Sequence, residues 1–209
     1  MRGLIGRKVG MTRLFDETTG QSIPITVIAA GNNVVHRIRT VEKDGHHAVQ
    51  LGYGLCGEKK VSKAVLGQFK KAGSVPTRVV REFRLEEGEQ DPAPGQQVGV
   101  EVLENVKFVD VTGVTKGRGF TGTVKRYGFH RGRETHGNTN HREPGSAGSN
   151  TFPARVFPGK RMAGQYGNQQ RTARRLLVVK LQKEAGLVYV RGAVPGCNSG
   201  IVLIRKHSD

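Results

Sequence analysis

Over residues 1–112 apolar side chains recur every second position in short runs cut by turn formers, the pattern of half-buried strands. Ser22 to Ala29 reads Ser-Ile-Pro-Ile-Thr-Val-Ile-Ala after a turn at Asp16 to Gly20. Asn32-Asn33 separates it from Val34-Val35-His36-Arg37-Ile38-Arg39, a spacing that predicts a hairpin. A third run, His47 to Tyr53, follows Lys43-Asp44-Gly45, where glycine supplies the positive φ of a tight turn. The period changes between Ser62 and Gly73. There Val65, Leu66 and Phe69 stand at helical spacing, with Ser62 as the cap and Gly73 as the stop. Alternation resumes in Val98 to Leu103 and Lys107 to Thr112, and again in Arg175 to Leu181, Leu187 to Arg191 and Ile201 to Arg205. Glu184-Ala185-Gly186 joins the first two of those last three strands. Many short strands at this spacing predict a mainly β fold, a small closed β-barrel with a short helical insertion.

Residues 113–168 break the pattern. These 56 residues hold twelve glycines, ten Lys or Arg, two acids and no leucine or isoleucine. Their large aliphatic side chains are Val114, Val124, Val156 and Met162, too few to offset the conformational entropy lost on ordering the segment. A partner must supply its order. Strands lie on both sides, so the segment reads as a long glycine-rich basic extension from one β-body made of residues 1–112 and 169–209, because a structureless loop of this length inside a compact domain needs a function.

Charge narrows the partner. The chain carries a net +17, of which +8 falls in the extension and +9 in the rest. A polyanion is the natural counterpart, since phosphates accept charge-assisted hydrogen bonds and release condensed counterions on binding; RNA or DNA is expected. A membrane partner is not, because no apolar run approaches the roughly 20 residues a spanning helix needs. The amino terminus is broken by glycines and charges and lacks the apolar stretch of a signal peptide, while Cys56 and Cys197 stand far apart with no Cys-x-x-Cys pairing. Both read as reduced thiols in a cytoplasmic protein.

Three catalytic or cofactor readings fail on the residues. Gly117-Arg118-Gly119-Phe120-Thr121-Gly122 matches the Gly-x-Gly-x-x-Gly pattern, yet the crossover helix, second parallel strand and terminal acid of a dinucleotide site do not follow. His130, His136 and His141 lack carboxylate or thiolate companions at metal-ligand spacing and sit among arginines that disfavour a dication. Ser146 and Ser149 lie near His141 and Glu143 in sequence only and read as turn formers. Neither an enzyme nor a bound cofactor or metal is expected. The extension's rings, Phe120, Tyr127, Phe129, Phe152, Phe157 and Tyr166, divide between local anchors, notably Phe120 against Val124, and platforms for unpaired bases.

Several longer motifs carry a resemblance. Gly6 to Arg13 (Gly-Arg-Lys-Val-Gly-Met-Thr-Arg), Asp110 to Phe120, Thr135-His136-Gly137-Asn138, Lys160 to Asn168 (Lys-Arg-Met-Ala-Gly-Gln-Tyr-Gly-Asn) and Gly192-Ala193-Val194-Pro195-Gly196 occur in order over the whole chain. Together they resemble the universal large-subunit ribosomal protein three family in its bacterial form. The resemblance implies a β-barrel body contacting 23S rRNA, an extension directed toward the peptidyl-transferase centre, a part in early subunit assembly, and ribosomal proteins fourteen and nineteen as neighbours. It implies no catalysis by the protein. Residues expected to meet rRNA are Arg7, Lys8, Lys116, Arg118, Lys125, Arg126, Arg131, Arg133, His136, Asn138, His141, Arg142, Arg155, Lys160, Arg161, Gln165 and Arg171, with Gly148, Ser149, Asn150, Thr151 and Phe152 at the extension's tip. The chain departs from proteobacterial relatives at that tip, where Thr151 replaces a glutamine that is methylated in some of them, and Tyr127 stands where a tryptophan is common.

Overall fold

The computed structural model describes residues 1–16, 20–85 and 91–207. Its elements run β1 (Gly3–Phe15), β2 (Ser22–Ala29), β3 (Asn33–Arg39), α1 (Val41–Asp44), β4 (Ala48–Leu55), α2 (Lys63–Lys71), β5 (Thr77–Arg84), β6 (Gln97–Val98) and β7 (Phe108–Val114). After these come β8 (Phe120–Thr121), α3 (Thr123–Tyr127), β9 (Gly164–Gln165), β10 (Gln170–Gln182), β11 (Leu187–Arg191) and β12 (Ile201–Lys206). The chain divides into two compact units, Met1–Val114 with Gln170–Asp209, and Thr115–Gln169. We call the first the body and the second the arm.

Six antiparallel strands of the body close a barrel in the order β1-β12-β7-β10-β11-β2, as the period of two predicts. Alternate residues fill it: Val109 and Val111 from β7, Val188 and Val190 from β11, Val202 and Ile204 from β12 are at most 1 % exposed. Closure leaves no unpaired edge among these strands. A second sheet, in the order β5-β4-β3-β6, adds Val35, Val49, Leu51 and Phe83 to the same apolar core. At the start of β1, Gly3, Leu4, Ile5 and Gly6 are all buried, so both faces of the strand are covered. The two glycines are required there: a Cβ on Gly3 would collide with Ile204 O and the Phe83 ring, and one on Gly6 would stand 2.6 Å from Ile28 Cγ2.

Four local expectations are corrected. The barrel does not take in every strand up to Thr112, because β3 to β6 belong to the second sheet. For the same reason β2 and β3 are not a hairpin. Ala30 N donates to Gly186 O at 2.8 Å, and fully buried Asn33 then pins β3 beside β1: its side chain accepts from Ile5 N (3.1 Å) and donates to Ile5 O (3.0 Å) and Ala30 O (2.8 Å). The carboxamide thus pairs with Ile5 much as a neighbouring strand's backbone would. Val98 to Leu103 is strand only at its first residue; Val100–Leu103 forms a 3-10 turn, which buries Val100 and Leu103 three residues apart. Finally, β5 has no counterpart in the alternation reading, because Arg78, Arg81 and Arg84 interrupt it, as charges do on an edge strand. Of the turn at Asp16 to Gly20, residues 17–19 lie outside the described residues; Gly20 N donates to Asp16 O, with Gly20 at φ +64°.

The helical insertion forms between the residues read, ending before Gly73 at φ +62°, but Ser62 precedes it without making a side-chain cap bond. Its single buried residue, Phe69, lies with its ring centroid 4.7 Å from that of His36. His36 is 2 % exposed, with Nδ1 and Nε2 each 2.7 Å from a hydroxyl, of Ser74 and Thr77. Hydroxyls donate or accept, so the neutral ring is satisfied in either tautomer, and burial pushes its pKa below 6.5. Gly52 makes room for this ring, since a Cβ there would collide with His36 Nε2 and Thr77 Oγ1.

Two outcomes are expected. Asn33→Ala leaves Ile5 N, Ile5 O and Ala30 O without their buried partner and should cost about 3 kcal/mol in urea unfolding; a loss under about 1 kcal/mol contradicts the pinning role. The unfolded His36 takes up a proton at higher pH than the folded one, so its contribution is complete above about pH 6.5 and is lost as pH falls through the folded pKa. Stability measured against pH should therefore fall less steeply below about pH 6.5 in His36→Gln than in the parent.

Candidate nucleic-acid interface

Only Thr121 and Thr123 are buried among the residues of the arm, so its local order comes from backbone bonds and stacked rings rather than a core. Its two legs run antiparallel. Thr115 N donates to Gln169 O (3.0 Å), Asn168 N to Thr115 O (3.2 Å), Arg118 N to Tyr166 O (2.9 Å) and Tyr166 N to Gly119 O (3.0 Å), and the pairing continues as β8 against β9. The legs approach so closely that a Cβ on Gly167, at φ +69°, would collide with Lys116 O. This antiparallel ribbon and the five residues of α3 replace the parallel strand and long helix that a dinucleotide site on Gly117 to Gly122 would need.

Cations are laid on rings beyond and along that ribbon. Arg118 Cζ lies 4.9 Å from the Tyr166 ring centre, Arg126 and Arg161 lie 5.0 and 5.8 Å from that of Tyr127, and Arg155 lies 5.8 Å from that of Phe157. Such pairs contribute roughly 0.5–1 kcal/mol each at exposed sites. Their chemical value is larger: a ring contact does not use up the guanidinium's N–H donors, which phosphate oxygens accept bidentately. Arg126 has one donor engaged, Nη1 to Met162 O at 2.7 Å, which fixes α3 against residues 162–164. Phe120 is 79 % and Phe152 89 % exposed, too open for the expected Phe120 to Val124 anchor. Both rings are bare stacking faces.

The structure separates the residues expected to meet rRNA into three kinds. Lys116, Lys125, Arg133, Arg142, Lys160 and His136 carry no side-chain hydrogen bond or ion pair among the described residues; Arg118, Arg155 and Arg161 contact only a ring, and Arg126 a ring and Met162 O. A second kind is engaged within the arm. Asn138 donates to Arg133 O (3.0 Å) and His141 Nδ1 to the same carbonyl (3.0 Å), while Gly132 N donates to His141 O; together these close a loop over residues 132–141. Arg131 pairs with Glu134 at 3.0 Å, and Gln165 lies in β9 with Nε2 3.4 Å from Tyr166 O. At the tip, Ser146 Oγ donates to Gly148 O at 2.9 Å, and Ser149, Asn150, Thr151 and Phe152 are exposed. The third kind lies on the barrel: Arg7 on β1 and Arg171 on β10 are exposed, but Lys8 is only 6 % exposed. Its ammonium donates to Val194 O (2.9 Å) and Gly196 O (3.4 Å). Lys8 is thereby a buried tie to the Val194–Gly196 turn and not an outward contact.

What sequence reasoning missed is the pairing of cation with ring. Arg126 and Tyr127 are adjacent and could have signalled it, whereas Arg161 joins the same ring from 34 positions away without any local sign. Among the described residues no group of three or more His, Cys, Asp or Glu is placed to hold a metal ion, and no helix is long and apolar enough to cross a membrane.

Comparison with known proteins agrees with these motifs. The family model for ribosomal protein L3 matches residues 82–187. A protein of Thermotoga maritima is 50 % identical over 206 residues, 99 % of this chain and 97 % of its own length. Relatives from Alteromonas mediterranea (49 % over 205 residues, 97 % of this chain and 96 % of theirs) and Gloeothece citriformis (47 % over 194 residues, 93 % and 91 %) match nearly as fully. All three are named large ribosomal subunit protein uL3. The chain belongs to the ribosomal protein L3 family, a family of structural ribosomal components and not of enzymes.

Proposed function

We propose that this chain is a non-catalytic constituent of the large subunit of the cytoplasmic ribosome, that its arm binds 23S rRNA, and that the body sets where the arm enters the RNA. The observation that carries the reading is the arm's composition in three dimensions: ten cations against two acids, rings that apart from Phe129 are exposed or covered by guanidiniums, and no apolar core. Arg118, Arg126, Arg155 and Arg161 meet phosphates from their ring platforms, Lys116, Lys125, Arg133, Arg142 and Lys160 neutralise the surrounding backbone, and glycines let the chain pass between RNA helices. The tip, Gly148 to Phe152, extends toward the peptidyl-transferase centre. Arg7 and Arg171 add contacts from the barrel, and the protein supports early subunit assembly beside ribosomal proteins fourteen and nineteen. Asn138 and His141 act by shaping the loop that presents Arg133.

Salt tests the electrostatics. With about six to ten phosphate contacts, affinity for 23S rRNA should fall by roughly three to five decades between about 50 and 200 mM salt, and a flat response contradicts the reading. Deleting Phe129 to Pro158 removes four arginines. It should leave the body's thermal transition in place while lowering the slope of log affinity against log salt by about three. Loss of that transition, or an unchanged slope, would show that the arm is not a separable RNA contact.

A further inference from the structure

The charge of the body is unevenly placed. Residues 57–81 hold seven cations and one acid, a net +6 out of the +9 carried outside residues 113–168. Some cations elsewhere in the body are engaged: Arg37 and Arg39 with Asp44, Arg39 also with Glu82 at 2.8 Å, Lys183 with Glu104 at 2.7 Å, and Lys8 with buried carbonyls. By contrast Lys59, Lys60, Lys63, Lys70 and Lys71 are all exposed, and among the described residues none has an ion pair or a side-chain hydrogen bond. Helix α2 directs Phe69 at His36, and at about 3.6 residues per turn Lys63, Gly67, Lys70 and Lys71 fall on the side away from it.

Local physics disfavours part of that outer face, although Lys70 and Lys71 in the last turn suit the negative end of the helix dipole. Gly67 stands in mid-helix, where only proline is a poorer helix former, yet a Cβ at this position would meet nothing within 4 Å. No packing within the chain asks for a glycine. Lys63 occupies the first turn, facing the positive end of the helix dipole, and Ser62 makes no side-chain cap bond. Gly67 and Lys63 depart from local preference with no partner in the chain that asks for them, the kind of departure expected where a surface serves contact with something else.

We propose that the outer face of α2, with Lys59 and Lys60 preceding it, is a second RNA-contact surface, on which a ribose-phosphate backbone crosses at Gly67 between Lys63 and Lys70-Lys71. The bare glycine permits the approach and the lysines neutralise phosphates on either side. Lysine is a point charge without the arginine fork, and α2 exposes no ring, so the surface reads backbone and not bases. Contact here is independent of the arm's chemistry of stacked guanidiniums, although it rests on the reading that the chain binds 23S rRNA.

The test titrates the full chain with deproteinised 23S rRNA at several salt concentrations. Gly67→Met removes a poor helix former at an open position, so its thermal midpoint should rise while RNA affinity falls several-fold. A structural role for Gly67 would move both readouts together. The triple substitution Lys63→Gln, Lys70→Gln, Lys71→Gln should weaken binding about tenfold and lower the slope against log salt by about two to three. Parental affinity and slope in both variants overturn the surface, and if the chain lacking Phe129 to Pro158 loses affinity in the same assay, the reading of the arm still stands. Parental RNA binding combined with loss of a neighbouring protein from assembled particles also overturns it, by making an acidic protein the occupant. A parental chain without affinity for 23S rRNA overturns both readings.

Discussion

Ordering a polypeptide costs about 1–2 kcal/mol of backbone entropy per residue, and water-excluded apolar surface is the main term that offsets it. This chain meets that constraint in one unit and not in the other. Barrel and second sheet share one apolar core, with Leu4, Ile5, Val35, Val49, Leu51, Val111 and Ile204 fully buried. In the arm two threonines are the whole of what is buried. Glycine and arginine prevail there instead, giving narrow backbone and positive charge in place of apolar bulk.

Within the body, a few buried polar groups decide which apolar surfaces meet. Asn33 stands in for strand backbone beside Ile5, Lys8 ties β1 to the Val194–Gly196 turn, and His36 with two hydroxyls seats α2. Hydrophobic burial is indifferent to register, whereas an unmet hydrogen bond in a dry interior is costly, so these groups select one arrangement among many of similar apolar area. Lys8 shows how sharply context governs a cation. Beside exposed Arg7 in sequence, it faces carbonyls and not solvent.

Much of this was legible in the sequence because period two and turn chemistry are local signals. Strands β2, β3, β4, β7, β11 and β12 and helix α2 sit where alternation and glycines put them, although the barrel leaves out β3 and β4 and is closed by β1, which the alternation reading did not mark. What failed was non-local. The run from β2 into β3 looks like a hairpin until the bond from Ala30 to Gly186 and the buried Asn33 send the chain to another sheet. Val98 to Leu103 carries both period two and period three, and tertiary packing chose the second for all but its start. In the candidate site, charge and glycine content were plain from composition, while the engagement of Asn138 and His141 with Arg133 O, and of Arg161 with the Tyr127 ring, depends on contacts that spacing does not encode.

Arg118, Arg126, Arg155 and Arg161 each lie over a ring at modest energy, and on the function proposed above RNA supplies the partners that the protein leaves out. On the proposed function, RNA orders residues 129–163, and amide hydrogen exchange on the full chain, alone and bound to 23S rRNA, reads this out. Rapid exchange is expected across 129–163 in the free protein, with slow exchange confined to the body and the leg ribbon, and strong new protection of 129–163 in the complex. Slow exchange throughout 129–163 in the free protein would contradict it.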